Sequence, residues 1–291
     1  MSKRRQPKSE EEVSVAIVGP GRLGRAMGRL LFEAGISIRF VAGRRMEQSR
    51  RAVRFIGGGR AVSLDAPQLG DAGVILITTS DDAVGPVARQ AALLRDDWSG
   101  RVVLHTCGSL PASVLDPFKR RGAWTGSLHP YQTVPTPEAG LRNLVGCFWA
   151  LEGSRQAKAL AKRWVKVLHG TSFEVSPKAK PLYHLSAFLV CPTVVTLMDR
   201  SQKLLQEAGV PRKIAKPMLE QFVRETAKNF AGLGARKALT GPAARGDWKT
   251  LERHVAELRC FGPEVVPAYR ELVRLMLKLA GVAPAKPSAF K

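Results

Sequence analysis

Residues 13–24 read VSVAIVGPGRLG, and the stretch from Arg25 to Ala34 follows with Ala26, Leu30, Leu31 and Ala34 at helical spacing. A short run rich in Val and Ile is the pattern of a strand buried on both faces of a parallel sheet. The glycine turn then opens a helix, and Gly35 stands where a C-terminal cap belongs. Each glycine has its own physical reason. Gly19 permits the tight turn, Gly21 lets the backbone approach a pyrophosphate, and Gly24 allows close packing of helix on strand. The first turn, with Arg22 and Leu23, offers unpaired N–H groups to phosphate. A bare GxGxxG is a weak signal and also fits an ordinary strand-to-helix turn. Set between a strand and a helix, it is the dinucleotide fingerprint.

About 20 residues beyond such a turn, a site for NAD carries an Asp or Glu for the ribose hydroxyls. Here a second strand, 37–42 (SIRFVA), ends in Gly43-Arg44-Arg45. A guanidinium at that place suits a 2′-phosphate, and between Arg44 and Arg60 six arginines face one acid, Glu47. The local potential therefore favours NADP(H) as cofactor. Arg50, Arg51 and Arg54 read as a solvated helix face, and Arg44 as a ligand contact.

The alternation continues. Residues 46–55 read as a helix, 73–79 (GVILITT) as a strand, and 82–94 as a helix capped by Ser80 or Asp81. Further strands are expected at 101–105, 123–127, 147–151 and 171–175, with a proline-rich loop at 130–137 and a helix at 154–168. The fold class is α/β: a doubly wound, mostly parallel Rossmann-type sheet over 13–175. Residues 176–282 show helical periodicity, broken only near 209–211, 232–234, 240–246 and 262–263, and predict an all-helical substrate and dimerisation domain. Residues 1–12 read as a disordered tail, basic and then acidic, and 283–291 as a flexible tail.

In open parallel sheets, ligands bind beyond the carboxyl ends of the strands. Polar clusters fall at three such ends: Thr78–Asp81, His105–Ser109 and Ser127–Pro130. Thr79 and Ser80 read as a nicotinamide-ribose loop. His105 and His129 each suit a substrate donor or proton relay, or a structural role. His129 is favoured for chemistry by its place beside the proline-rich loop, and His105 for substrate binding. At the start of the helical domain, Lys180 and His184 are four residues apart and share a helix face if the helix includes Lys180. Pro181 instead places Lys180 just before the helix. A cation there can polarise a carbonyl or imine and donate the proton that accompanies hydride transfer, or it can be a basic residue at a hinge. Arg245 can clamp a substrate carboxylate or hold a dimer contact, and Asp247 reads as the cap of a helix over 248–258.

The chain has 291 residues, 45% hydrophobic, enough for two domains with real cores. Its formal charge of +22 is spread over both halves. That excess makes nucleic acid a partner to weigh, but only 7% of residues are aromatic and no recognition-helix signature is present, so nucleic acid is not expected. The four cysteines, Cys107, Cys147, Cys191 and Cys260, form no CxxC pair, so neither a disulfide framework nor a metal site is expected. The amino terminus lacks the apolar stretch of a secretory signal, and a cytoplasmic protein is expected. The longest uncharged run, Leu182 to Met198, falls short of the ~20 apolar residues that span a bilayer and predicts a buried helix rather than a membrane segment.

With these residues in view, the chain resembles bacterial Rossmann-like proteins that carry a C-terminal domain of unknown function, family 2520. Those are distant relatives of the 6-phosphogluconate dehydrogenase-like and pyrroline-5-carboxylate reductase-like reductases. GPGRLG at 19–24, GR at 43–44, TTSDDAV at 78–84, HTCGS at 105–109, SLHPYQT at 127–133, YHLSA at 183–187 and LTGPAARGD at 239–247 carry the resemblance. It implies an NADP-dependent oxidoreductase with its active site between the domains and a homodimer built through the helices. It further implies a small carbonyl or imine substrate, of 2-oxo acid or cyclic imine type and carboxylate-bearing. Cys191-Pro192 departs from the asparagine common in such proteins about two turns after the Tyr-His pair. The alternative is therefore a non-catalytic NADP-binding or sensing protein.

Overall fold

A computed structural model describes residues 14–283. The tail expected at 1–12, and all but Ala283 of that expected at 283–291, lie outside the described residues. The first part of the chain alternates strands and helices: β1 (Val15–Val18), α1 (Arg22–Glu33), β2 (Ile38–Ala42), α2 (Met46–Ile56), β3 (Arg60–Val62), β4 (Val74–Ile77) and α3 (Asp81–Ala92). It continues through β5 (Val102–His105), α4 (Asp116–Lys119), β6 (Trp124–Pro130), α5 (Pro137–Asn143), β7 (Phe148–Gly153), α6 (Arg155–Val167) and β8 (Thr171–Glu174). The remainder is helical: α7 (Lys180–Glu207), α8 (Arg212–Leu233), α9 (Ala235–Ala238), α10 (Pro242–Arg245), α11 (Trp248–Phe261) and α12 (Val266–Ala280).

The strands form one sheet in the order β3-β2-β1-β4-β5-β6-β7-β8, parallel except for the β6–β7 pair. Side chains alternate across it because successive residues of a strand face opposite ways. Val15, Ile17 and Leu76 pack on one face with Met27 and Leu31 of α1, together with Trp149 and Trp164. Ala16, Val18, Ile75 and Ile77 pack on the other with Val84 and Ala88 of α3. Burial on both faces is why these strands read as unbroken apolar runs. Strand β3 was not expected: it has three residues, begins with exposed Arg60 and buries only Val62, too little to leave a pattern. The order turns about β1, with β2 on one side and β4 on the other, which opens a crevice at their carboxyl ends.

The chain clusters into two compact units that divide between Cys191 and Pro192, inside α7. The helix runs through Pro192, whose ring removes one backbone donor. In the second unit, α10, α11 and α12 enclose Ala243, Leu251, Val273 and Leu277. Asp247 caps α11 by accepting the Thr250 N–H at 3.1 Å.

The expectation of a buried helix over Leu182–Met198 is corrected. Leu182, Leu185, Phe188, Leu189, Val190 and Val195 are all exposed, and Lys180 is the buried residue of α7. The helical stretch Pro177–Glu207, 31 residues long, is apolar enough to cross a membrane by length and composition, with no part of its most apolar window buried. Helix α8 likewise exposes Ile214, Met218, Phe222, Phe230 and Leu233 and buries only Ala215.

Candidate active site

The turn after β1 is shaped by its glycines. Gly19 has φ +105°, and a Cβ there would lie 2.7 Å from the Thr79 nitrogen. A Cβ on Gly24 would lie 2.4 Å from both the Gly19 carbonyl oxygen and Thr78 Oγ1, so α1 sits as close to the strand end as a backbone can. Gly21 differs, because nothing lies within 4 Å of where its Cβ would be. Its α-carbon faces open space in front of the α1 N-terminus, where the first N–H groups have no intrahelical acceptor. Thr78 Oγ1 donates to the Gly19 carbonyl at 2.6 Å and ties this turn to the end of β4.

These residues line a cleft of about 590 Å³, within the usual range for a small-molecule site. Gly19, Gly21 and Arg22 form one wall and Thr79 and Ser80 another, with Arg44 at the end of β2. Leu23 follows them in the first turn of α1. Thr79 Oγ1 is buried without a hydrogen-bond partner. Arg51 and Gln48 also line the cleft, so Arg51 is not merely part of a solvated face; its guanidinium pairs with Glu47. Asp82 lines the cleft as well, its carboxyl held below the usual range first by the Ser80 hydroxyl and more weakly by Arg44. A glycine cradle open only at Gly21, an orphaned hydroxyl and an exposed guanidinium fit a phosphorylated dinucleotide.

The carboxyl ends of β5 and β6 gather the remaining polar groups of the first unit. Lys180 is the first residue of α7, preceded by a 3-10 turn over Pro177–Ala179, so Pro181 sits inside the first turn and does not displace Lys180 from the helix. Its side chain is 1% exposed. Lys180 Nζ donates to Ser127 Oγ at 2.5 Å and to the Cys107 carbonyl at 3.2 Å. Burial lowers its pKa, opposed by the charge of Glu152. His129 extends from β6, and its Nδ1 lies 2.8 Å from the Tyr183 hydroxyl. Its ring meets His184 edge to face at 6.1 Å. Burial, then the charges of Lys180 and His184, push the His129 pKa down to about 4, so it is neutral at pH 7. Gly108 makes this convergence possible: a Cβ there would lie 2.7 Å from His129 Nε2 and 2.8 Å from His184 Cδ2.

His105 occupies a different place from the one expected. It is fully buried, its Nδ1 accepts the Cys107 N–H at 3.1 Å, and burial pushes its pKa down to about 3. It anchors the 106–109 loop from beneath and offers no surface to a ligand. Ser109 Oγ donates to Asp81 Oδ2 at 2.8 Å, which joins that loop to the start of α3. Arg245 lies in the second unit, exposed at the end of α10.

The structure brings Lys180, His129 and His184, singled out from the sequence, to the same sheet end as Ser127, Gly108 and Tyr183, which sequence reasoning did not single out. Tyr183 stands beside His184 in the sequence, yet only the register of α7 shows which histidine it reaches. Gly108 looks like any loop glycine until two imidazoles are seen to converge on it.

A Rossmann-like domain model matches residues 3–130, and the model described as a domain of unknown function, DUF2520, matches residues 147–276. No curated protein matches the chain. Among solved structures, a presumed NADP oxidoreductase from Bacteroides fragilis is similar over 93% of this chain and all of its own, with TM-score 0.77 and 21% identity. A Thermotoga maritima protein is similar over 92% of this chain and 98% of its own, with TM-score 0.69 and 23% identity. An imine reductase from Aspergillus terreus, in complex with NADPH4 and a dibenzazepine, covers 95% and 98% with TM-score 0.64 and 16% identity. At these identities the likeness is one of fold.

Proposed function

We propose that this chain, a Rossmann-like domain followed by a DUF2520 domain, is an NADP-dependent oxidoreductase acting on a small carbonyl or imine compound. The observation that carries the reading is the cleft at the β1–α1 turn, where space is left at Gly21 and Arg44 stands where a ribose-binding carboxylate would mark NAD. Gly19, Gly21, Gly24 and the N–H groups of Arg22 and Leu23 would hold the pyrophosphate, Arg44 the 2′-phosphate, and Thr79 and Ser80 the nicotinamide side. When bound, the cofactor supplies or accepts a hydride. Lys180 holds a proton close to two oxygen acceptors, and His129 and His184 meet over Gly108 at the carboxyl ends of β5 and β6. Arg245 is carried forward as a candidate grip for a substrate carboxylate. The imine reductase of similar fold in complex with NADPH4 supports the cofactor assignment by analogy.

A homodimer through the helices belongs to the same reading. The exposed apolar residues of α7 and α8 exceed the scattered apolar side chains of an ordinary surface. Lipid is a poor cover for α7, because Lys180 and Tyr183 in its first turns hydrogen-bond to Ser127 and His129. The four free cysteines suit a reducing cytoplasm.

Calorimetry with NADPH and NADH, followed by NADPH oxidation against 2-oxo acids and cyclic imines, tests the function. Tighter binding of NADPH with turnover of one class is expected. Absence of heat with either nucleotide overturns the assignment. Binding without turnover across the panel favours the second reading, a cofactor-binding sensor, for which Pro192 inside α7 is the specific observation.

A further inference from the structure

We propose that Tyr183 is a positioning residue that locks His129 in the tautomer protonated on Nε2. The imidazole then presents a hydrogen-bond donor beside Gly108 at the carboxyl end of β6, suited to an acceptor atom such as a carbonyl oxygen rather than to a protonated iminium. The inference deepens the oxidoreductase reading and rests on it for a substrate that meets His129, but its first test needs no turnover.

The argument starts from one hydrogen bond, His129 Nδ1 to the Tyr183 hydroxyl at 2.8 Å. It can run in two directions. A neutral imidazole has one N–H and one bare nitrogen, and a phenol has one proton to give. If Nδ1–H donated, the Tyr183 proton would have to find a second acceptor, and no other hydrogen bond of that hydroxyl is present among the described residues. A half-buried phenol with an idle proton carries a desolvation cost of about 1–3 kcal/mol. If Tyr183 donates, the phenol proton and Nδ1 are both satisfied and the imidazole proton sits on Nε2.

The surroundings hold this arrangement still. Tyr131 lies 5.5 Å and Phe173 6.0 Å from the Tyr183 ring, centroid to centroid. The Tyr183 carbonyl accepts from Ser186 Oγ, whose oxygen is 3.1 Å from the Tyr131 hydroxyl. Burial raises the Tyr183 pKa, so the phenol keeps the proton it donates. Nε2 of His129 makes no hydrogen bond among the described residues and is not among the buried orphan atoms, so it keeps access to solvent above Gly108. Both candidate donors at this end of the sheet, His129 Nε2–H and the Lys180 ammonium, then carry hydrogens. An iminium N–H would find neither of them an acceptor.

Long-range proton–nitrogen correlation spectra of the full-length protein, uniformly labelled with nitrogen-15, read the tautomer directly. His129 is assigned by the signal lost in His129→Asn. A bare-nitrogen shift for Nδ1 and a protonated one for Nε2 are expected in the wild type, and Tyr183→Phe should shift His129 toward a mixture of tautomers. A protonated Nδ1 in the wild type overturns the proposal, as does a Tyr183→Phe spectrum unchanged at His129. Should Tyr183→Phe fail to fold, the wild-type spectrum still decides. In turnover, NADPH oxidation with glyoxylate should exceed that with 2-methyl-1-pyrroline at pH 6, where the pyrroline is largely iminium, and the reverse order overturns the substrate preference. Calorimetry with NADPH separates the outcomes. Loss of cofactor binding removes the oxidoreductase reading, whereas a wrong tautomer removes only this inference.

Discussion

Lys180 Nζ and Ser127 Oγ lie 2.5 Å apart, and the lysine that makes the contact is almost entirely withdrawn from water. An ammonium so placed needs acceptors, and Ser127 and the Cys107 carbonyl are the two it has among the described residues. Lys180→Met removes the charge while keeping the volume and leaves Ser127 Oγ and the Cys107 carbonyl without their donor, a cost of about 1–3 kcal/mol. The expected result is a melting temperature a few degrees below wild type and unchanged NADPH affinity by calorimetry. Turnover falls about 10²–10⁴-fold, the usual scale of a lost proton donor.

The glycines of the first turn separate by what a methyl group would meet. Gly24→Ala places a Cβ 2.4 Å from backbone and side-chain oxygens, and should lower stability by about 1–3 kcal/mol. Gly21→Ala meets nothing in the protein and should leave thermal unfolding nearly unchanged. The same Gly21→Ala variant should weaken NADPH binding tenfold or more, because its methyl occupies the pyrophosphate space. Unfolding curves and calorimetry on both variants read the contrast, and an unaffected affinity in Gly21→Ala would place the cofactor elsewhere.

Arg44→Asp exchanges a 2′-phosphate partner for a ribose partner. Loss of a charge-assisted hydrogen bond corresponds to about 1.5–3 kcal/mol, or roughly ten- to 150-fold in dissociation constant. NADPH affinity should fall by that factor while NADH affinity holds or improves. Equal loss for both nucleotides would remove Arg44 from the assignment.

His105 and His129 are both held neutral, with pKa values near 3 and 4 against 6.5 for the unfolded chain. Below pH 6.5 the unfolded chain takes up protons that the folded chain refuses, so stability falls as the pH falls. The slope is about 1.4 kcal/mol per pH unit for each histidine, down to its folded pKa. Denaturant titrations between pH 7 and pH 4 should show the decline, and His129→Asn should halve its slope. A flat profile in the wild type would mean that neither histidine is held neutral.

Sedimentation should find a dimer at micromolar concentration. Phe222→Glu sets a charge among the exposed apolar side chains of α8 and should shift the protein toward monomer with little loss of helix by circular dichroism. A wild-type monomer with those helices intact would leave the apolar faces to another partner.

The strands were legible because parallel strands buried on both faces leave continuous runs such as VAIV at 15–18 and VILI at 74–77. The glycine turn after β1 was legible because close backbone approach leaves only glycine as an option. Strand β3 was not, since hydrogen bonds to β2 hold three residues that bury one side chain. The burial of α7 was misjudged for a related reason. Periodicity and hydropathy report that a helix has apolar side chains, not whether its own chain supplies the cover.

His105 and His129 make the same point at the site. Both lie at the carboxyl end of a strand rich in small or apolar residues, and composition treats them alike. The side chain at 105 lies fully beneath the 106–109 loop, while that at 129 keeps access to the outside. By itself the sequence determined the α/β succession, the glycine cradle and the guanidinium at position 44, because each is a local demand on backbone freedom or charge. Only the tertiary structure decided which imidazole is sealed beneath a loop and which keeps an open edge, and that Tyr183 and Lys180 reach across more than fifty residues to His129 and Ser127. Hydrogen bonds between distant segments are set by packing register, and no window along the chain records that.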